Sequence, residues 1–431
     1  MTLRYIHRLN QMKTCNVFVC PSGHIIIVTV INIRTVKPSC KSCGYRNRSK
    51  RCRRPSSLHT ASSALPASSG SPSAETTVHG SPDTSSEIER PSTSVSVVQQ
   101  SDQIAALNHE VLTLKQEIHS LNMQLKHAQK FTYASIANQH DLVIQYTGLS
   151  NDAFDALNDI SQNLQPFNYY LGWEVVCLDT ADQILMTLMK LKRNYTHVDL
   201  GQRFSVSTET VKNVVLTWLC ILHEILFVGV LKSVGIPSQI KNQSSLPNSF
   251  SSFSNCRIVI DCTEVQIAVP RDSMTKQNKT WSHYKQRNTF KGLIGVAPNA
   301  CVTYASKLYP GSTSDKEIVR HCRILTDMQK GDLILADKGF VIQDITPPGV
   351  FVNVPPFLVK SQFTQQEVLC TKRIARARIH VERAIERIKS YHILNHIPAH
   401  YRPWATKIFQ LCASLVNLQT PLIDEIRNSL D

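Results

Sequence analysis

Three carboxylates stand out by their settings. Asp261 interrupts the apolar run Arg257-Ile258-Val259-Ile260-Asp261-Cys262-Thr263-Glu264-Val265-Gln266-Ile267. Asp337 does the same in Asp332-Leu333-Ile334-Leu335-Ala336-Asp337-Lys338-Gly339-Phe340. Glu382 follows 382 − 337 = 45 residues later, inside the basic stretch Ala375 to Lys389. A single Asp on a strand is ordinarily a turn residue or a buried partner of arginine. Two set into otherwise apolar strands are harder to dismiss, because burying an unpaired carboxylate is costly. Carboxylates converging from separate elements make a cage for hard divalent ions such as Mg²⁺ or Mn²⁺. Two such ions, about 3.5–4 Å apart, activate a water or hydroxyl and relieve charge on the leaving oxygen of a phosphodiester. Asp261, Asp337 and Glu382 are therefore the candidate catalytic and metal-binding residues. The order of elements puts the two aspartates on neighbouring central strands, with Glu382 on a helix crossing them.

Other acids compete for the role and rank below these three. Glu264 is three residues from Asp261, so strand alternation sends it to the opposite face. Glu386 lies one turn beyond Glu382 and can pair with Arg383 or Lys389. Asp315 opens a helix, where the dipole accounts for it. Around the acids the chain is basic. Lys372, Arg373, Arg376, Arg378, Arg383, Arg387 and Lys389 crowd the stretch carrying Glu382, and Lys276, Lys279, His283, Lys285 and Arg287 fill a loop after the first strand. A polyanion alongside would relieve their repulsion, so Lys285, Arg378 and Arg383 are expected to touch DNA phosphates. A solvated basic face is the alternative for any single one.

The whole chain has the same bias. Its 431 residues carry 47 basic and 32 acidic side chains, a formal charge of +15. That favours a polyanionic partner. No stretch approaches the roughly 18 uninterrupted apolar residues of a membrane span, and Met1 to Lys13 is too mixed and polar for a signal peptide. Thirteen cysteines, mostly scattered singly, fit reduced intracellular usage better than a disulfide framework.

Along the chain, residues 1–54 form a basic leader in which Cys15, Cys20, Cys40 and Cys43 give C-x4-C and C-x2-C pairs nineteen residues apart. Four thiolates around Zn²⁺ is one reading; cysteines incidental to an irregular leader is the other, favoured by the loose first pair. The cluster Arg48 to Arg54 suits a nuclear import signal or a phosphate contact. Residues 55–103, rich in Ser, Thr and Pro, read as a disordered linker. From Ile104 to Ala128 apolar residues recur at spacings 3,4,3,4,3,4,3 (Ile104, Leu107, Val111, Leu114, Ile118, Leu121, Leu125, Ala128), predicting a coiled coil over 104–130 and hence a homodimer. Residues 141–232 read as helical. A short helix Thr196–Phe204, the turn Ser205-Val206-Ser207 and a longer helix from Thr208 outline a helix-turn-helix that would present Thr208, Glu209, Lys212 and Asn213 to DNA. Helical hairpins that never touch DNA share this outline.

Asn242 to Ser254 reads as a polar connector between domains. From 256 to 425 come three β-rich runs, a helix opened by a Ser314–Glu317 capping box, a strand with Asp337, a Pro-rich loop and two long helices. That is the order of an α/β ribonuclease-H-like domain, a mixed sheet flanked by helices.

The segments Ile260-Asp261-Cys262-Thr263-Glu264, Tyr309 to Asp315, Leu335 to Phe340 and Arg378-Ile379-His380-Val381-Glu382-Arg383 resemble the ordered motifs of Harbinger-type transposases, DDE-superfamily endonucleases, over roughly 182–425. The resemblance implies Asp261, Asp337 and Glu382 as catalytic metal ligands, and cleavage and joining of transposon-end DNA in the nucleus. Some members of that group carry a THAP-type zinc finger ahead of a coiled coil; here Cys43 stands where its C-x2-H pair would end. Two readings follow. One is a metal-dependent DNA endonuclease. The other is a domesticated, catalytically silent DNA-binding dimer acting through the helix-turn-helix. The complete acidic set suits the first and the altered leader the second.

Overall fold

The computed structural model describes residues 15–19, 25–29, 93–129, 131–164, 166–355 and 364–423. Strands β1 (Cys15–Val19) and β2 (Ile25–Thr29) pair antiparallel, from Cys15↔Thr29 to Val19↔Ile25. Cys20, Cys40 and Cys43 lie outside the described residues, as do the Arg48–Arg54 cluster and residues 55–92, most of the predicted linker.

Helix α1 (Thr93–Gln129) belongs to a unit separate from that of residues 130–431. It begins within the predicted linker, at Thr93, because Thr93 to Ser101 has no proline or glycine to break a helix once a long one follows. The seam residues Ile104, Leu107, Val111, Leu114, Ile118, Leu121 and Leu125 are all exposed.

Residues 130–431 belong to a second unit, which also takes in the β1–β2 hairpin. Its helical half contains α2 (Thr180–Arg193), α3 (His197–Arg203) and α4 (Thr208–Leu222). The caps are side-chain oxygens. Thr196 Oγ1 accepts from the Asp199 N–H at 3.1 Å, and Ser207 Oγ from the Thr210 N–H at 3.1 Å. At the turn, a Cβ on Gly201 would stand 2.8 Å from the Val206 carbonyl, so the two helices close only over a glycine. α4 continues as a π-helix over His223–Lys232. Thr208–Lys232 is thus one helix, long and apolar enough to cross a membrane, and it is mostly buried within this unit.

The other half is a mixed sheet: β3 (Cys256–Gln266), β4 (Trp281–Ser282), β5 (Arg287–Val296), β6 (Val302–Ala305), β7 (Tyr309–Pro310), β8 (Leu333–Leu335) and β9 (Phe351–Asn353). Its order is β4-β5-β3-β8-β9, with β6 and β7 also paired to β5. β3, β5 and β6 run antiparallel, whereas β8 and β9 run parallel to β3 and to each other. This architecture is compatible with a ribonuclease-H-like domain. Reading the sequence missed β9, whose three residues sit inside the Pro-rich loop; only pairing with β8 makes them a strand.

Helices cover both faces. Helix α5 (Asp315–Cys322) places Ile318 and Val319 against Ile258, Ile260 and Leu293. The long helix α6 (Gln365–Lys389) and the last, α7 (Ala405–Leu415), cover the opposite face, sharing one core with Val259, Val265 and Ile294. Ser314 caps α5 by accepting from the Glu317 N–H, but the Glu317 carboxylate turns to Arg320 and His321, so the capping box is only half made.

The predicted boundary at 242–254 is a correction. The helices of 131–232 share the core of the α6–α7 face. Buried His223 Nε2 meets Gln410 Oε1 at 2.9 Å, and His197 Nε2 meets the Tyr401 hydroxyl at 2.8 Å. The polar connector is itself pinned: Asn242 Nδ2 donates to the Arg257 carbonyl at 3.0 Å, and Phe250 is fully buried. Its Ser and Asn residues satisfy the backbone at a junction between packed layers, which composition alone cannot distinguish from a solvated linker.

At Gly292 of β5, Phe409 of α7 packs directly onto the sheet backbone. A Cβ there would lie 2.7 Å from Phe409 Cε1 and 2.9 Å from Leu308 Cδ2. Gly292→Ala is expected to cost about 1–3 kcal/mol of stability by overpacking, read as a lower midpoint in urea denaturation.

Candidate active site

β3 and β8 are parallel neighbours, with a register shift between Cys256 and Ile258 after which Val259 stands opposite Leu335. Asp261 comes two residues later within β3, and Asp337 two residues later in the loop that follows β8, close enough for its charge to raise the Asp261 carboxyl. A buried ion pair fixes that register. Arg257 Nη1 meets Asp332 Oδ2 at 3.1 Å, with the two side chains only 7% and 2% exposed. The Asp332 carboxylate also accepts from Gln239 Nε2 and the Gln329 N–H, both at 2.8 Å, and Arg257 donates to the Ile236 carbonyl. Each charge is thereby hydrogen-bonded as well as paired, the condition under which a buried pair is tolerated.

Glu382 arrives on α6. Thr364 and Glu367 form a full capping box at its start. Ile374, Ala377, Val381, Ala384, Ile385 and Ile388 make its buried stripe. Arg378 and Glu382 flank that stripe one turn apart. Arg378 Nη1 donates to Asp337 Oδ1 at 3.0 Å, and Nη2 stands 3.6 Å from Glu382 Oε1. The guanidinium side chain is 11% exposed, against 51% for Asp337 and 56% for Glu382.

Asp261 is the deepest of the three acids. Burial pushes its carboxyl up to about 6, and Asp337 and Asp315 push the same way. The Arg378 charge and the Cys262 N–H, which donates to Asp261 Oδ1 at 2.8 Å, oppose them. Arg378 therefore ties the acids together: bonded to one, paired with the second, and close enough to bias the third.

Glu264 lies on the other face of β3, as alternation requires, and accepts from the Thr289 hydroxyl at 2.7 Å. Its cross-strand neighbour Lys291 reaches Asp315 at 3.0 Å, a charge contact rather than a directed hydrogen bond, and the Thr313 carbonyl at 3.3 Å. Lys291 is a cation that the sequence reading passed over. It sits in a strand pattern, and only the β3–β5 register shows it opposite Glu264. Lys389, one of the basic residues expected on this stretch, is partly buried: burial lowers its ammonium, the positive charge of Lys285 lowers it further, and the negative charges of Asp261 and Glu264 act against both.

Of the proposed DNA contacts, Thr208, Lys285 and Arg383 are exposed, and Lys212 is partly exposed with Glu209 3.5 Å from its ammonium. Lys285 Nζ lies 4.4 Å over the ring of exposed Tyr284. Two assignments need correction. Asn213 is fully buried; its amide oxygen accepts from the Leu171 N–H at 2.8 Å and its nitrogen donates to the Trp173 carbonyl at 2.9 Å. It braces the helix-turn-helix from behind, because the apolar period of α4 turns position 213 inward with Val214. Arg378 is committed to Asp337 and Glu382 instead of facing outward.

Three hard oxygen donors suit Mg²⁺ or Mn²⁺. Among the described residues, however, no three His, Cys, Asp or Glu side chains are gathered closely enough to hold an ion. The cation at the acidic cluster is the Arg378 guanidinium. A divalent ion fits the chemistry of the set provided that guanidinium yields part of its hold.

Residues 260–417 match a family model described as DDE superfamily endonuclease, and residues 176–227 match one described as the helix-turn-helix of DDE superfamily endonuclease. No curated protein and no solved structure matches the chain.

The raised Asp261 carboxyl has a thermodynamic consequence. Between its ordinary range near 4 and about 6, the folded chain holds a proton that the unfolded chain releases, so stability falls as pH rises through that window and stays lower above it. With EDTA present, Asp261→Asn is expected to stabilise the chain at pH 7.5 by on the order of 1–3 kcal/mol, the gain fading toward pH 4. Denaturant titrations at the two pH values check this; a variant no more stable than the parent at pH 7.5 counts against it.

Proposed function

Because this chain is a DDE-superfamily transposase/endonuclease with a helix-turn-helix ahead of its catalytic domain, we propose that it cleaves DNA phosphodiester bonds with divalent metal held by Asp261, Asp337 and Glu382. The observation that supports this is the Arg378 guanidinium, which contacts both Asp337 beyond β8 and Glu382 on α6 and biases Asp261 on the neighbouring β3. Bound metal of the Mg²⁺ or Mn²⁺ kind supplies an activated oxygen nucleophile and charge relief at the leaving oxygen.

The chain's own residues do the rest. Asp337 and Glu382 open to solvent on the side from which a DNA strand arrives, while Asp261 sits deeper and anchors the set. Lys285, near enough to Lys389 to lower its ammonium, and Arg383, exposed next to Glu382 on α6, would take backbone phosphates, fixing the strand without reading its sequence. Thr208 and Lys212, at the exposed start of α4, are the groups that would meet the DNA recognised by the helix-turn-helix. Transposon ends of the Harbinger type are the substrate favoured by the four sequence motifs, and the nucleus is where that DNA resides. The test is nicking of supercoiled plasmid with Mg²⁺ or Mn²⁺. Asp337→Asn is expected to lower the rate by at least about a hundredfold. Equal rates in parent and variant sink the reading, and no nicking by either favours a silent DNA-binding protein.

Dimerisation belongs to the same proposal. The α1 seam leaves seven large apolar side chains exposed at a 3,4 spacing, which a second copy of the helix would cover. Placing Lys at both Leu114 and Leu121 is expected to halve the mass measured by light scattering; an unchanged mass would put the contact elsewhere.

A further inference from the structure

We propose that Arg378 is a positioning residue whose guanidinium acts as the resident counter-ion of Asp337 and Glu382. It keeps the carboxylates gathered while no divalent ion is bound, and it competes with that ion for them. The inference rests on the metal-dependent reading above and adds a device to it.

The geometry separates Arg378 from an ordinary surface ion pair. Its two partners come from different elements, the β8 loop and its own helix, so its bonds tie α6 to the sheet edge at the acids themselves. The guanidinium is the buried member and the carboxylates are the open ones. The positive charge thus lies beneath the acids, and their outer sides remain free. Within α6 the basic residue precedes the acidic one, the weaker order for a helical pair, so local helix chemistry does not account for the contact. Nε is buried and makes no hydrogen bond, so the side chain is held by the two carboxylates through its outer nitrogens.

Charge arithmetic gives the competition its sign. Asp261, Asp337 and Glu382 ionised carry −3, and Arg378 brings the cluster to −2. Without Arg378 the acids repel one another and have no fixed cation to close on. An arriving divalent ion then meets a more negative site and displaces nothing. A planar guanidinium holds two carboxylates in fixed directions; a lysine at the same place would keep the charge and lose the fork.

The experiment uses the full chain, stripped with EDTA, as parent, Arg378→Gln and Arg378→Lys. Mn²⁺ binding is followed by calorimetry, and melting is followed in EDTA and in saturating Mn²⁺. Arg378→Gln is expected to bind Mn²⁺ about tenfold more tightly than the parent. It should melt below the parent in EDTA, with the gap closing in Mn²⁺. Arg378→Lys should stay near the parent in affinity. Equal or weaker Mn²⁺ binding by Arg378→Gln, or a lysine variant that matches the glutamine one, overturns the proposal and leaves the metal-dependent reading standing. No binding by any of the three proteins overturns that reading, and the competition with it.

Discussion

The parallel pairing of β3 with β8 is the constraint on which the rest depends. The pairing is short, ending at Val259↔Leu335, and a slip of one residue would turn one aspartate to the other face. Three backbone pairs do not specify a register strongly. Arg257 and Asp332 do, because a register that separated them would strand two charges in the core. The connector also contributes, since Asn255 accepts from the Leu333 N–H and Asn242 donates to the β3 carbonyls. A site that must hold acids in one place is thus built from a pair of opposite charges buried a short distance below it.

Electrostatic tension at the top of those strands is the counterpart. Asp261 is buried enough to resist ionising, and it has Asp337 and Asp315 for company. Such a cluster lowers the stability of the empty protein and raises its attraction for cations. Arg378 moderates both effects, and Lys291 does the same for Asp315 on the opposite face.

The helix-turn-helix is not a separate head on a tether. α4 and its π-helical continuation run through the core shared with α6 and α7, and His223–Gln410 and His197–Tyr401 join the two halves. The exposed start of α4 is thereby held at a constant offset from the acids. The same packing explains why so little of α4 is exposed: most of its surface is structural, and only Thr208, Glu209 and Lys212 near its start are available.

Much of this was legible in the residues. Apolar runs around Asp261 and before Asp337 marked the central strands β3 and β8, because a strand buried on both faces has such composition; Asp337, expected on the strand, lies in the loop two residues past its end. The Ser314–Glu317 pattern located the start of α5, since the Ser314 oxygen satisfies a local N–H group whatever the surroundings. Other features depend on distant partners, and no local pattern encodes them. β9 is a strand only beside β8, the Asn213 amide finds its partners only in the 169–173 loop, and 242–254 is a packed junction only because two halves share a core. Arg378 is the sharpest case. Its sequence context, a basic helix, pointed to DNA, whereas its position against Asp337 is set by how α6 lies across the sheet. Sequence determined which groups could do chemistry; tertiary structure decided which charge meets which, because ion pairs between elements depend on packing geometry rather than on spacing along the chain.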